Sequence, residues 1–324
     1  MNKQNIKNLI VHAGFQKTGT STLQSSVFPF LKDVYLTGYI DPDLYETPFG
    51  HLIGLINSVD EANQVENRIA AEYKISIENF INNRKEKNII FSDEDLVGLV
   101  VPHRQKKYFN NDKFTKILKK TLPENVKIFL VFRKQSEWVE SLYFQHVAKS
   151  GKNITINDYV GYKNGKFAEG KYLSAANLDW FKIYQNYIET FGKENVLAVP
   201  FELFKEDLNV FLNLFYDFTG IEAYYPEKLP LINTRTKEVK GHYKPLLDAY
   251  EQLLLTFPGY KLRKKFMKND KGLREILVKF HYLKDYTNQK MTEDQKNQLM
   301  AALSESNKKL SEALGTNLGQ YGYY

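Results

Sequence analysis

The chain reads as an α/β protein: a doubly wound parallel sheet of about five strands, followed by a helical C-terminal extension. Three observations predict this. Short continuous apolar runs bounded by polar residues recur up to Val199, the pattern of parallel strands buried on both faces. Helix-period stretches lie between them, and such alternation builds crossover units that present ligand sites at the carboxyl ends of the strands. Beyond Gly220 the strand pattern stops and only helical periodicity continues.

Asn8 to His12 is the first apolar run, and Ser21 to Lys32 continues as a helix after an intervening polar turn. Val34 to Thr37 is the second strand, Glu61 to Asn82 a long amphipathic helix, and Asn88 to Phe91 the third strand. A short helix from Lys113 to Thr121 precedes the fourth strand, Lys127 to Phe132. Two aromatic-rich helices, Gln135 to Lys149 and Leu178 to Phe191, lead to the fifth strand, Val196 to Val199. Leu203 to Phe218 is helical and is closed by Thr219-Gly220, a glycine stop. The remaining helices are Lys244 to Leu255, Lys271 to Leu283 and Thr292 to Leu314. No repeat or low-complexity linker divides the chain. A single domain over residues 1–324 is therefore expected, with an α/β core to about residue 220 and the helical extension from about 221.

A hydrophobic content of 43% over 324 residues is ample for the core of a globular enzyme. No run approaches the ~18 apolar residues of a membrane span, and MNKQNIKN leads into a strand rather than a signal sequence, so a cytoplasmic protein is expected. Cysteine is absent, which excludes disulfides and thiolate metal sites. A formal net charge of +7 suits acidic ligands such as a multiply charged nucleotide. The densest basic stretch holds Lys261, Arg263, Lys264, Lys265, Lys268 and Lys271, and reads either as a solvated helix face or as a surface for an acidic ligand. No nucleic-acid-binding module is recognisable.

The most specific feature lies at the first strand's end, where IKNLIVHAGFQKTGTSTL runs from an apolar strand into a Lys-Thr-Gly-Thr-Ser-Thr turn that opens a helix. Amides ahead of the first helical hydrogen bond favour an anion over Thr18 to Thr22. Gly14 and Gly19 allow close backbone approach, Lys17 adds a point charge, and Thr20, Ser21 and Thr22 add hydroxyl donors. The residue order departs from the nucleoside-triphosphate loop G-x-x-x-x-G-K-[ST], because Lys17 comes two residues before Gly19 and Thr20 follows it. A second anchor is Arg133, directly after the strand KIFLVF, with Ser141 eight residues further into the next helix. The guanidinium fork can donate two parallel bonds to one phosphate.

Residues Gly14 to Leu23 resemble the 5′-phosphosulfate loop of sulfotransferases, G-x-x-K-T-G-T-[ST]-[ST]-L. These enzymes use 3′-phosphoadenosine 5′-phosphosulfate (PAPS). Arg133, Ser141 and Tyr143 resemble the family's 3′-phosphate element, and Asn233 and Arg235 in LPLINTRT resemble a loop that closes over the nucleotide. ESNKKLSEALGTNL is similar to the final helix of the bacterial polysaccharide-modifying members. The resemblance implies a P-loop NTPase-like fold and a nucleotide held by Gly14, Lys17, Thr18, Gly19, Thr20, Ser21, Thr22, Arg133, Ser141, Asn233 and Arg235. It implies sulfuryl transfer to a hydroxyl or amine, with adenosine 3′,5′-bisphosphate as product and Lys17 as the catalytic cation. No metal is demanded, and the histidines lack metal-ligand spacing. A saccharide acceptor follows from the same outline, with Tyr35, Tyr39, Tyr45, Tyr159, Tyr162 and Tyr172 available to stack on sugar faces.

For the general base, Glu94 at the end of the third strand comes first and His51 in TPFGHLIGL second. Related enzymes carry a Ser-x-Glu element or a histidine at the first position, and a carboxylate or imidazole at the second. Asp93 to Asp95 also reads as a helix cap with acidic first-turn residues. Trp138, Phe132 and Tyr143 are either platforms for the adenine or ordinary core aromatics. The rival readings are a P-loop nucleotide kinase or NTPase, and a non-catalytic protein that binds polyanions or glycans.

Overall fold

The computed structural model describes residues 7–38, 43–58, 67–97, 111–150, 154–168, 170, 172–173, 175–228 and 290–324. Its strands are β1 (Asn8–Gly14), β2 (Val34–Gly38), β3 (Asn88–Ser92), β4 (Lys127–Phe132), β5 (Tyr162–Lys163), β6 (Lys166–Phe167) and β7 (Val196–Pro200). Five of them form one parallel sheet in the order β2-β3-β1-β4-β7, while β5 and β6 make a separate antiparallel hairpin. Leu9, Val11, Ala13, Ile89, Phe91, Ile128, Leu130 and Phe132 enter one apolar layer, and Ile10, Ile90, Phe129 and Val131 enter the other. Burial on both faces explains why these strands are continuously apolar rather than alternating.

The helices are α1 (Thr20–Ser26), α2 (Pro48–Ser58), α3 (Asn67–Asn82), α4 (Asn111–Thr121), α5 (Gln135–Ser150), α6 (Ile156–Val160), α7 (Trp180–Phe191), α8 (Phe201–Glu206), α9 (Leu208–Thr219) and α10 (Glu293–Leu314). Helices α2 to α5, α7 and α10 feed the first layer, and α1 and α9 the second. This is the doubly wound α/β architecture read from the sequence, with a C-terminal helix.

Several boundaries differ from the expectation. Helix α1 stops at Ser26 instead of Lys32, and a 3₁₀ turn at Phe28–Phe30 follows; Pro29 brings a missing N–H and a ring that an α-helix interior does not tolerate. Leu203 to Phe218 is two helices, interrupted at Asp207, whose Oδ1 accepts from Val210 N at 3.0 Å and caps the second. Helix α7 starts at Trp180 behind a similar Asp179 cap. Helix α2 and the β5–β6 hairpin were not foreseen. The hairpin turns on Asn164 and Gly165 at φ 50° and 78°, the pair that a tight two-residue turn favours. The helices expected at Lys244 to Leu255 and Lys271 to Leu283, and the basic stretch from Lys261, lie outside the described residues.

Helix α10 is set by a Thr292–Gln295 capping box. Its buried Asn307 accepts from Gln135 Nε2 at 2.8 Å and donates to the Tyr323 carbonyl at 2.8 Å. The C-terminal segment is thereby fastened to the first turn of α5, next to Arg133.

Candidate functional site

The sheet register sets the site. His12 lies opposite Ser92 on β3, and Gly14 lies opposite Val131 on β4, so the turn after β1 sits between the ends of β3 and β4. Phe15 N donates to the Val131 carbonyl at 3.0 Å, and the chain then turns through Lys17 (φ 67°) and Gly19 (φ 81°) before the first helical bond, Thr22 N to Gly19 O at 2.9 Å. A left-handed lysine costs about 1–2 kcal/mol, a strain characteristic of functional turns. The Thr18 hydroxyl donates back to the Phe15 carbonyl, so Thr18 offers its backbone rather than its side chain. Ser21 is half-buried and Thr22 buried. Thr20 is buried too, and its Oγ1 has no protein partner.

Two tryptophans brace this end of the sheet. Trp138 Nε1 donates to the Gln16 carbonyl at 2.7 Å, and Trp180 Nε1 donates to the Arg133 carbonyl at 2.8 Å. The indoles meet edge to face with centroids 5.1 Å apart, and both touch Phe15. Trp138, Phe132 and Tyr143 are each at most 3% exposed. They are core aromatics, and burial removes them as adenine platforms. Tyr159, expected among the sugar-stacking tyrosines, is fully buried against Tyr143 and His146.

Arg133 leaves the end of β4 with a side chain 17% exposed. Its Nη1 donates to the Lys17 carbonyl at 3.2 Å and to Ser141 Oγ at 3.4 Å, and its Nη2 to Glu137 Oε2 at 2.9 Å. The Arg133 Nε is buried without a partner. Lys205 Nζ stands 3.5 Å from the same Glu137 oxygen. Burial pushes the Glu137 carboxyl up, but the Arg133 hydrogen bond with the charges of Lys205 and Arg133 overrides it and holds the group below the usual carboxylate range. Phe201, at the start of α8, joins the two segments. Its ring carries the Arg133 guanidinium 5.4 Å above its centroid, and its Cε2 lies only 2.9 Å from where a Cβ on Gly19 would stand.

The structure thus brings Lys17, Gly19 and Thr20 together with Arg133 and Ser141. Glu94 begins the 3₁₀ turn Glu94–Val97 after β3, half-buried, at the same carboxyl edge of the sheet. His51 is exposed in the first turn of α2, and its carbonyl accepts from Tyr73 Oη at 3.5 Å. Asn233 and Arg235 lie outside the described residues. Glu137, Phe201, Lys205 and Trp180 were not singled out from sequence. Only Glu137 had a local signal, its i,i+4 spacing from Arg133. Among the described residues no group of three or more His, Asp or Glu side chains is placed to hold a metal ion, and no helix is long and apolar enough to cross a membrane.

No family model matches the sequence, and no curated protein matches it. Among solved structures, the chain is similar to a sulfotransferase from Alicyclobacillus acidocaldarius, at 12% identity and a TM-score of 0.54, over 97% of this chain and 98% of that one. This likeness shows a shared fold. Mouse sulfotransferase SULT7A1 complexed with PAP overlaps at a TM-score of 0.37 and 14% identity, over 69% of this chain and 66% of that one. Thymidylate kinase from Candida albicans overlaps at 0.33 and 13% identity, over 69% and 98%. These two overlaps are too loose to carry an argument.

Proposed function

We propose that this chain is a PAPS-dependent sulfotransferase that moves the sulfuryl group to a hydroxyl or amine, with a saccharide as the acceptor. One observation carries the reading. Arg133 Nη1 reaches both the Lys17 carbonyl and Ser141 Oγ, so the two phosphate anchors expected from sequence are contiguous at the ends of neighbouring strands. A nucleotide phosphorylated at both its 5′ and 3′ ends suits such a pair; a nucleoside triphosphate does not require the second anchor. The lysine position and the fold shared with a bacterial sulfotransferase support the same conclusion.

The residues present fit the donor. Thr20 Oγ1 and Arg133 Nε are buried donors without protein partners, and Gly14 and Gly19 leave no room for a side chain. When bound, PAPS supplies an activated sulfuryl group on a phosphate leaving group. Gly14, Thr18, Gly19, Ser21 and Thr22 shape and line the 5′ side with Thr20, while Arg133 and Ser141 bind the 3′-phosphate. Asn233 and Arg235 would close over the nucleotide. Lys17 offsets charge developing on the leaving phosphate. Glu94 takes the acceptor proton, with His51 as the alternative base.

Labelled [³⁵S]PAPS incubated with saccharide, phenolic and lipid acceptors tests the assignment. Transfer to a saccharide by wild type, lost in Glu94→Gln and retained in His51→Ala, is the expected result. The reverse pattern moves the base to His51. Binding of adenosine 3′,5′-bisphosphate without Mg²⁺ is expected to exceed binding of ATP with Mg²⁺. A preference for Mg²⁺-ATP would point to a kinase or NTPase instead.

A further inference from the structure

His12 lies under the phosphate turn, fully buried in the middle of the sheet, with its ring stacked on Phe129 and edge-on to Phe28, both at 5.2 Å. Its Nδ1 is 2.7 Å from Ser92 Oγ. The neighbouring bonds bear on which ring nitrogen carries the proton. Gln24 Nε2 lies 3.0 Å from both the Ser92 carbonyl and Ser92 Oγ. A carbonyl only accepts, so the amide must present its NH₂ group here, and Ser92 Oγ accepts from that group as well. Of the two groups bonded to Ser92 Oγ, only His12 Nδ1 can accept its single hydrogen, which favours donation from Ser92 to Nδ1. That arrangement puts the imidazole hydrogen on Nε2, and burial, which lowers the pKa to about 3, keeps the ring neutral.

His12 Nε2 is buried and has no protein partner, and the same holds for Thr20 Oγ1. Both atoms converge beside Gly14: a Cβ there would stand 2.9 Å from Nε2 and 2.6 Å from Oγ1. A donor and a hydroxyl, each lacking a partner, therefore face the same small gap. Native structures rarely leave such groups unsatisfied without a reason.

We propose that His12 is a positioning residue for the phosphate turn: its Nε2–H, set in that tautomer by Ser92 and Gln24, donates to Thr20 Oγ1 when an anion occupies the turn, so that the Thr20 hydroxyl hydrogen points at the anion. The proposal rests on the nucleotide reading above and deepens it. An acceptor-only phosphate needs donors, and a hydroxyl that accepts from an imidazole N–H keeps its own hydrogen for the ligand. His12 touches no substrate and acts entirely through Thr20.

Two measurements test this. In ¹⁵N-histidine-labelled wild type, long-range ¹H–¹⁵N spectra are expected to show His12 protonated at Nε2 only, unchanged between pH 8 and pH 5, with the Nε2–H signal moving on addition of adenosine 3′,5′-bisphosphate or inorganic pyrophosphate. An Nδ1–H tautomer, or an Nε2–H signal that ignores bound ligand, overturns the proposal. In calorimetric titrations of the bisphosphate, His12→Phe and Thr20→Val are each expected to weaken binding about tenfold, the worth of one hydrogen bond, and the double variant to be no weaker than either. His12→Gln, whose amide nitrogen reaches the Nε2 position, is expected to restore most of the loss. Additive losses, or no rescue by glutamine, assign His12 to packing alone. Failure of wild type to bind the bisphosphate counts against the nucleotide reading instead, and the tautomer and its response to pyrophosphate then decide the role of His12 independently.

Discussion

At the Lys17 turn the shape comes from backbone conformation, with positive φ at Lys17 and Gly19 and a buried Thr20 hydroxyl without a protein partner. At the β4 end, where Arg133 Nη1 lies 3.2 Å from the Lys17 carbonyl oxygen, the dominant feature is a guanidinium paired with Glu137 and Ser141. The first region holds a left-handed lysine and an unsatisfied hydroxyl, and the second a largely compensated charge with one unsatisfied donor, Arg133 Nε. On the proposed reading a ligand relieves the first, and an incoming phosphate competes with a carboxylate at the second. The contrast teaches that, if both regions hold one ligand as proposed, they need not respond alike to mutation. Loss of the Lys17 charge is expected to act on the chemical step, and changes around Arg133 on affinity, salt dependence and pH dependence.

The largest effect expected from this contrast is in turnover. Lys17→Ala is expected to lower the rate of sulfuryl transfer by about 10²–10³, the usual worth of a charge stabiliser in the transition state, while bisphosphate affinity falls by less than about tenfold. Equal losses in both quantities would erase the distinction between the two regions. Next comes Arg133→Lys. A lysine keeps the charge but loses the fork, and with about 1.5–3 kcal/mol per charge-assisted bond the bisphosphate should bind at least about tenfold more weakly, with turnover at saturating donor nearly unchanged. A selective loss of turnover would place the arginine in the chemistry rather than in binding.

The smallest effect concerns Glu137. Its carboxyl is held below the ordinary range in the folded chain, so it contributes stability above the unfolded carboxylate pKa and loses that contribution as pH falls through the lowered folded value. The side chain is 42% exposed, which limits the contribution to under about 1 kcal/mol. Urea melts should find Glu137→Gln slightly less stable than wild type near neutral pH, with the gap closing in acid. Bisphosphate binding should tighten a few-fold, since no carboxylate must be displaced. A stability gap that widens on acidification, or weaker binding by the variant, would show that Glu137 orients Arg133 rather than competing for it.

The legible and illegible parts of the site separate along a physical line. Gly14 to Leu23 could be singled out as a candidate anion turn because its residues are contiguous and the features that suggest one are local: backbone amides, two glycines and hydroxyls on one bend. Arg133 and Ser141 could be paired because eight residues carry a helix about two turns. Trp138 could not be placed, since an indole looks the same in sequence whether it stacks on a ligand or donates to the Gln16 carbonyl from the core. Phe201 carried no signal at all; it meets Gly19 only because β7 lies beyond β4, so that α8 starts at the edge of the site.

Apolar periodicity and turn chemistry, both short-range properties, were enough to specify the α/β class, the five strands and the segments that carry the candidate site. Strand order and side-chain partnership belong to the folded chain. The placement of β1 between β3 and β4 sets His12 against Ser92 and the Lys17 turn against Arg133, although these residues lie 80 and 116 positions apart. Contacts at such separations depend on how whole layers pack, and no window of the sequence contains that information.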